Sequence, residues 1–403
     1  MRARQSQALH GALSMSLGMV LVIGLGLVAL GQSPSGSPPS PPASPEVSPG
    51  VPTPAPTPCL TVATPGPDGS PPADPSACTA TESGFAWQQA TLPGPSSGAW
   101  PVHGMAANGG GDMVLLGQAA GAKGKPLAWH SPDGLTWDAV KLAWPKGMAP
   151  VAVATVGNAF VAIGGGKTGT ATAVSGAGDR WTVKKSGIPG ATSLLGITST
   201  NDGAAVVGTS GKTSVPTVWS TQNGYAWTKA SLPVTGPVSP PTLIAASPTG
   251  LIGAASSDGS LWVAPDGVTW QSTPLPATDA GIVVAALTGT PTGLMLVLDQ
   301  GPVGGPASSS IWVSADGLAW LEVHATTGTA LLHASSGASG IVVQAEHMLV
   351  TSPDGVTWVE RPLTEFDSLV STLTQTPGGR VVVSGTSTDL ANGAVWVGTP
   401  PTP

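Results

Sequence analysis

Charge is scarce in this sequence. Only 9% of its 403 residues are Asp, Glu, Lys or Arg, and just 14 are basic, leaving a net charge of -7. No basic stripe able to neutralise a phosphate backbone is present, so nucleic acid is not an expected partner. Uninterrupted runs of helix formers are also missing: 56 Gly and 42 Pro make up about a quarter of the chain and break most stretches of about 10 to 12 residues. That excludes a helical protein. What remains is 41% hydrophobic and holds 14 Trp, enough to build a large core from short strands.

The first 31 residues read as an export element. Arg2 and Arg4 precede Ala12 to Leu30, an uncharged and largely aliphatic run. At about 1.5 Å per residue this run nearly spans a bilayer core of roughly 30 Å, with the positive end held in the cytoplasm. Ala29 and Gly31 also fit a cleavage before Gln32, so a membrane anchor and a cleaved signal peptide both remain open. Residues 32–80 form a Pro/Ser/Thr-rich linker. In Gln32 to Thr79, 16 of 48 residues are Pro, and such a stretch is extended and semi-rigid, with a reach on the order of 100 Å. Its use as a tether favours the anchor. Cys59 and Cys78 are the only cysteines and lie in this linker, where they either pair outside the cytoplasm or stay unpaired.

One motif recurs down residues 81–398. Its clearest copies run from Trp129 to Trp137, Trp262 to Trp270, Trp312 to Trp320 and Val350 to Trp358, each centred on Asp-Gly: Asp133-Gly134, Asp266-Gly267, Asp316-Gly317 and Asp354-Gly355. With weaker copies, the terminal tryptophans fall at 87, 137, 181, 227, 270, 320 and 358, and a Gly stands three places before each. A spacing of this size suits a four-stranded propeller blade. In Ser-Pro-Asp-Gly, Pro supplies a φ near -65° and Gly a positive φ, which makes a hairpin turn. The Asp accepts hydrogen bonds from the turn's own amides, a structural role. The last copy stops before its turn and outer strand, and Thr81 to Leu92 supplies the missing piece. Pairing that segment with the strand around Trp396 closes an all-β, seven-bladed ring and removes its exposed edges. Residues 399–403 are a tail.

These residues resemble the Asp-box (BNR-like) repeats of sialidase-like and photosystem-assembly-factor-like β-propellers. The resemblance covers Thr81 to Val397, with the box shortened because Asp and Gly are adjacent. Sialidases of this fold use an arginine triad, a Tyr nucleophile with a Glu, and an Asp acid/base. The parts are lacking here: Arg180 and Arg380 fall in turns, Arg361 on an outer strand, and the sole Tyr, Tyr225, in a turn. Other glycoside hydrolysis needs two carboxylates about 5 to 10 Å apart, for which Glu365 and Asp367 are the nearest candidates.

Binding is the better expectation. His103 and His333 fall on inner strands of the first and sixth blades, facing the channel, without any metal-ligand spacing around them. Trp100 and Trp144 lie outside the repeat, in blade-to-blade connections where they are available for contact. Those connections share one pole with the second-to-third-strand loops. There Lys123, Lys125, Lys146, Lys167 and Lys212 belong to blades one to three, whereas Asp258, Asp279, Asp299, Glu346, Glu365, Asp367 and Asp389 belong to blades four to seven. A two-signed face with Trp100, Trp144 and Lys146 on its basic side suits an extracytoplasmic protein or glycan. The expected molecule is an exported, membrane-tethered, monomeric binding module without cofactor or metal. The alternative is an extracytoplasmic glycoside hydrolase.

Overall fold

The computed structural model describes residues 84–90, 92–93, 102–119, 124–185, 187–234, 238–277, 282–300, 308–345, 348–363, 368–387 and 393–400. The chain divides into residues 1–79 and a compact unit from residue 80 onward. The hydrophobic segment, the Pro-rich linker and both cysteines lie outside the described residues. Among the described residues no helix is long and apolar enough to cross a membrane.

Seven antiparallel sheets of four strands make up the compact unit. The inner strands of blades I to VII are Val102–Ala107, Met148–Val156, Ala191–Thr200, Leu243–Ala246, Val283–Thr290, Leu331–Gly337 and Ser368–Gln375. Each leads through a turn to a second strand, a loop to a third, and the Gly-centred turn to a short outer strand. Blade VII is the exception. Its outer strand is Ala86–Ala90, from the start of the unit, paired antiparallel with Gly393–Thr399 so that Gln89 faces Trp396. The ring is therefore closed by strand exchange between the two ends of the unit, and the last strand runs one residue into the segment that the sequence assigns to the tail.

The core is divided among the seams. Seven apolar clusters form, one at each junction between neighbouring blades; Met113, Leu115 and Trp129 of blade I, for example, pack with Val382, Val395 and Val397 of blade VII. Second strands are covered on both faces, and Met113 to Leu116, Phe160 to Ile163 and Leu294 to Leu298 are fully buried. A strand buried on both sides needs apolar residues at consecutive positions, which is why these read as runs rather than alternations. Outer strands have only one covered face and are largely exposed.

Five of the Gly-centred turns share one set of hydrogen bonds. Asp133 Oδ1 accepts the amides of Leu135 at 2.8 Å and Thr136 at 2.7 Å, and Asp266, Asp316, Asp354 and Asn223 repeat this pair. A second element is a hydroxyl three residues before the Gly. Ser131, Ser175, Thr221, Ser314 and Ser352 each accept the glycine amide, at 2.7 to 2.9 Å. Gly317 shows why glycine is needed: its φ is +76°, and a Cβ there would lie 2.8 Å from Val263 of the preceding blade.

Candidate functional site

The inner strands ring the central axis, and their composition decides what the channel can do. None of the seven contains Asp, Glu, Lys, Arg, Tyr or Cys. Their titratable groups are His103 and His333, both mostly buried. Burial holds the imidazole of His103 below its ordinary value, against a side-chain hydrogen bond with Gln118 that acts upward. For His333 burial again dominates, opposed by its contact with the Val370 carbonyl, 3.3 Å from Nε2 on the neighbouring inner strand of blade VII. Two neutral imidazoles, one tied to backbone, supply neither a charged acid nor a carboxylate base. Among the described residues no group of three or more His, Cys, Asp or Glu is placed to hold a metal ion.

A recurring irregularity shapes the channel at one end. Six inner strands slip register close to where they leave the incoming connection. The skipped residues include His103, Val151, Leu195, Ala285, Leu332 and Ser371. Such bulges re-aim a side chain and increase local twist. Four of these six residues are apolar, and all six are partly exposed, so the mouth at the loop pole is wet but mainly apolar. Nothing in the Gly/Ala-rich sequence of the inner strands marks these bulges in advance.

Around that mouth the charge is segregated. Lys125, Lys146, Lys167 and Lys212 are exposed in the loops of blades I to III, and the structure adds Lys141 and Lys185, just past the outer strands of blades I and II. No Asp or Glu occurs in the loop-pole connections between residues 119 and 242, and no Lys occurs after Lys229. On the acidic side, Asp258 accepts the amide of Ser239 at 2.9 Å and pins the connection entering blade IV. Burial acts upward on that carboxyl, but the bonds from Ser256, Ser239 and Ser260 outweigh it and keep it well below the usual range. Asp299 behaves oppositely. Burial lifts its carboxyl above the ordinary value despite the Ser309 hydroxyl and the Leu331 amide. Lys123, Asp279, Glu346, Glu365, Asp367 and Asp389 lie outside the described residues.

The tryptophans need one correction. Trp144 is not available at the surface: it is 8% exposed and packs in the seam between blades I and II. The reason lies in blade II, which carries Ala173 where blades I, III, IV, V and VII have the third-strand tryptophans 129, 219, 262, 312 and 396. The space left by that alanine belongs to the same cluster as Trp144, whose ring lies where a Cβ on Gly164 would meet it at 2.6 Å. In blades I, III and IV the third-strand indole instead donates to a prolyl carbonyl in the connection arriving from the previous blade: Trp129 to Pro93, Trp219 to Pro189 and Trp262 to Pro233. Trp100 lies outside the described residues.

The sequence profile of the DUF6242 beta propeller domain matches residues 131–344, just over half of the chain. The chain belongs to the DUF6242 β-propeller family. Solved structures similar to this DUF6242 propeller include YCF48 bound to D1 peptide, with 15% identity, 79% of this chain and 96% of that chain covered, and a TM-score of 0.54. YCF48 from Cyanidioschyzon merolae has 16% identity, coverage of 78% and 99%, and a TM-score of 0.54. A virginiamycin B lyase from Staphylococcus aureus has 10% identity, coverage of 78% and 99%, and a TM-score of 0.55. At such identities the likeness extends to the fold alone. No curated protein sequence matches this DUF6242 propeller.

Proposed function

We propose that this DUF6242 propeller, built of shortened Asp-box repeats, is a non-catalytic binding module that grips a protein or glycan at its loop pole. In this reading the segment Ala12 to Leu30 and the Pro-rich linker hold it outside the cytoplasm, attached to the membrane. The observation that carries the reading is the channel wall. With no carboxylate on any inner strand and two histidines kept neutral by burial, the described inner strands supply no acid/base pair of the kind glycoside hydrolysis requires. The rim offers a lysine-bearing sector over blades I to III beside an apolar mouth, the combination expected of a recognition surface. A peptide complex of the structurally similar YCF48 supports the capacity of this fold to hold polypeptide.

The test uses the full chain with two polyanionic probes, poly-glutamate for protein and alginate for glycan, at low and physiological salt. At least one probe binds, and reversing Lys125, Lys146, Lys167 and Lys212 to Glu weakens it at least about tenfold with the fold intact. Binding by neither probe, or binding indifferent to the reversal, defeats the reading.

A further inference from the structure

Six of the large apolar side chains that the compact unit leaves exposed fall at the pole opposite the loops. They are Tyr225, Val268, Leu318, Leu321, Val356 and Val359, in the Gly-centred turns of blades III to VI or at the start of the outer strands that follow. The exposure is large at Val268 (75%), Val356 (73%) and Leu321 (66%). Turn geometry does not demand it. The residue after the turn glycine is Asp179 in blade II, where Gly178 has the same positive φ as its counterparts, and in blade VII it is Phe85, which is buried at the seam with blade VI. The position therefore accepts a charge or a buried ring, yet four adjacent blades present an exposed apolar group. Gly224 lies against Val161 and Val174 of blade II, and Gly317 against Val263 and Leu251 of blade IV, so these two turns lean on the preceding blade, whereas Gly267 and Gly355 rest on Ile252 and Ile341 of their own blades.

From blade IV to blade VI the charge around this row has one sign, whereas at blade III Lys184 Nζ donates to the Tyr225 carbonyl at 2.8 Å and Lys229 stands on the outer strand. Asp266, Asp316 and Asp354 sit in the same turns, and Glu322 and Glu360 on the outer strands that follow. Turn amides bind the three Asp carboxylates and keep them ionised. Blades IV to VII contain no Lys, and their two Arg are engaged elsewhere: the Arg361 guanidinium covers Gly84, and Arg380 Nη1 donates to the Asp133 carbonyl at 3.0 Å. Apolar patches rimmed by charge mark interaction sites, whereas scattered single residues do not.

We propose that the turn pole of blades IV to VI is a docking surface for a basic amphipathic segment of a partner protein. Its apolar side chains would cover Val268, Leu318, Leu321 and Val356, and its cations would lie among the intervening carboxylates. An anionic membrane does not fit, because those carboxylates repel its headgroups. The proposal concerns a different pole from the binding reading above and stands independently of it.

The experiment immobilises the full chain and measures binding of a 14-residue helical Leu/Lys peptide, with a Leu/Glu peptide of the same pattern and a Ser/Lys peptide as controls. The expected result is binding of the Leu/Lys peptide alone, weakened at least about tenfold in the triple variant Val268→Asp, Leu318→Asp, Val356→Asp. Blade II already carries Asp at this position, and a triple Ser variant replaces the Asp set should the latter fail to fold. Equal binding of the Ser/Lys peptide, or an affinity untouched by either variant, overturns the proposal. So does conversion of a self-associated wild type to a monomer by the same substitutions, which would make the occupant a second copy of this chain.

Discussion

The two poles of the disc obey different rules. At the turn pole most units repeat one construction: in blades I to VI a hydroxyl or carbonyl receives the glycine amide, in blades I and III to VI an Asp or Asn side chain receives the next two amides, and in blades I, II, III and V the glycine presses on the preceding blade. At the loop pole the second-to-third-strand connections vary from two residues to seven. Blade II connects its second and third strands through Lys167-Thr168, blade III through Gly211 to Ser214, and blade V by a longer segment. Repetition at one pole fixes the spacing of the blades, which frees the other to vary in charge and length without disturbing the core. Equal backbone conformations should therefore carry unequal weight at the two poles.

Matched glycines give the strongest way to break that comparison. Gly317 at the turn pole and Gly211 at the loop pole have nearly the same φ, +76° and +70°. A Cβ on Gly317 meets Val263 at 2.8 Å, however, while nothing lies within 4 Å of one on Gly211. Gly211→Ala should cost only the left-handed backbone strain, about 1 kcal/mol. Gly317→Ala adds overpacking against a buried seam and should cost about 2 to 4 kcal/mol. Denaturant unfolding of the two variants measures both. Equal losses would mean that the turns do not brace the neighbouring blades.

A smaller effect is expected from the turn hydroxyls. Ser131 is fully buried, and its Oγ accepts the Gly134 amide at 2.8 Å, so Ser131→Ala leaves a buried donor unmatched and should cost about 1 to 2 kcal/mol. Blade IV provides the internal control. There Ala264 occupies the equivalent position, and the Gly267 amide donates to its carbonyl at 3.0 Å instead. Ala264→Ser should change the unfolding midpoint less than Ser131→Ala does, because no donor is waiting for it.

These turns were legible in the sequence because their determinants are local: Asp-Gly and a tryptophan at fixed spacing state both the turn and the strand that follows. Closure was legible for a related reason, since a final copy without its turn implied an initial copy without its blade. The hydroxyl was equally visible as Ser131, Ser175, Thr221, Ser314 and Ser352, but it stands apart from the Asp-Gly pair and its bond appears only when the hairpin folds back. Inner-strand bulges gave no signal, because a register slip depends on the partner strand rather than on the slipping residues. Trp144 misled because it stands outside the repeat, and its burial follows from the alanine at 173, a vacancy that only packing reveals. His103 and His333 were correctly placed on inner strands, whereas their burial came from neighbouring blades far away in sequence.

The finest test separates the carboxylate of the turn from its shape. Asp266 is held at about 2 by the Thr269 hydroxyl and the amides of Thr269 and Val268, below the ordinary 3.8. A group whose folded value is depressed contributes stability above its unfolded value and loses it as pH falls through the folded one. The contribution of Asp266 is therefore complete above about pH 3.8 and disappears toward pH 2. Blade III already makes the same turn with Asn223, which accepts the amides of Tyr225 and Ala226 at 2.9 and 3.0 Å and has no proton to gain. Asp266→Asn should keep the turn, leave the melting temperature near neutral pH almost unchanged, and flatten its fall between pH 3.8 and 2 relative to the wild type. Because this group is exposed, the difference should be the smallest of the three, and carboxyl NMR provides the direct check. A titration midpoint for Asp266 near 3.8 would show that the amides do not hold the carboxylate, and the turn pole would then be rigid through its glycines and hydroxyls alone.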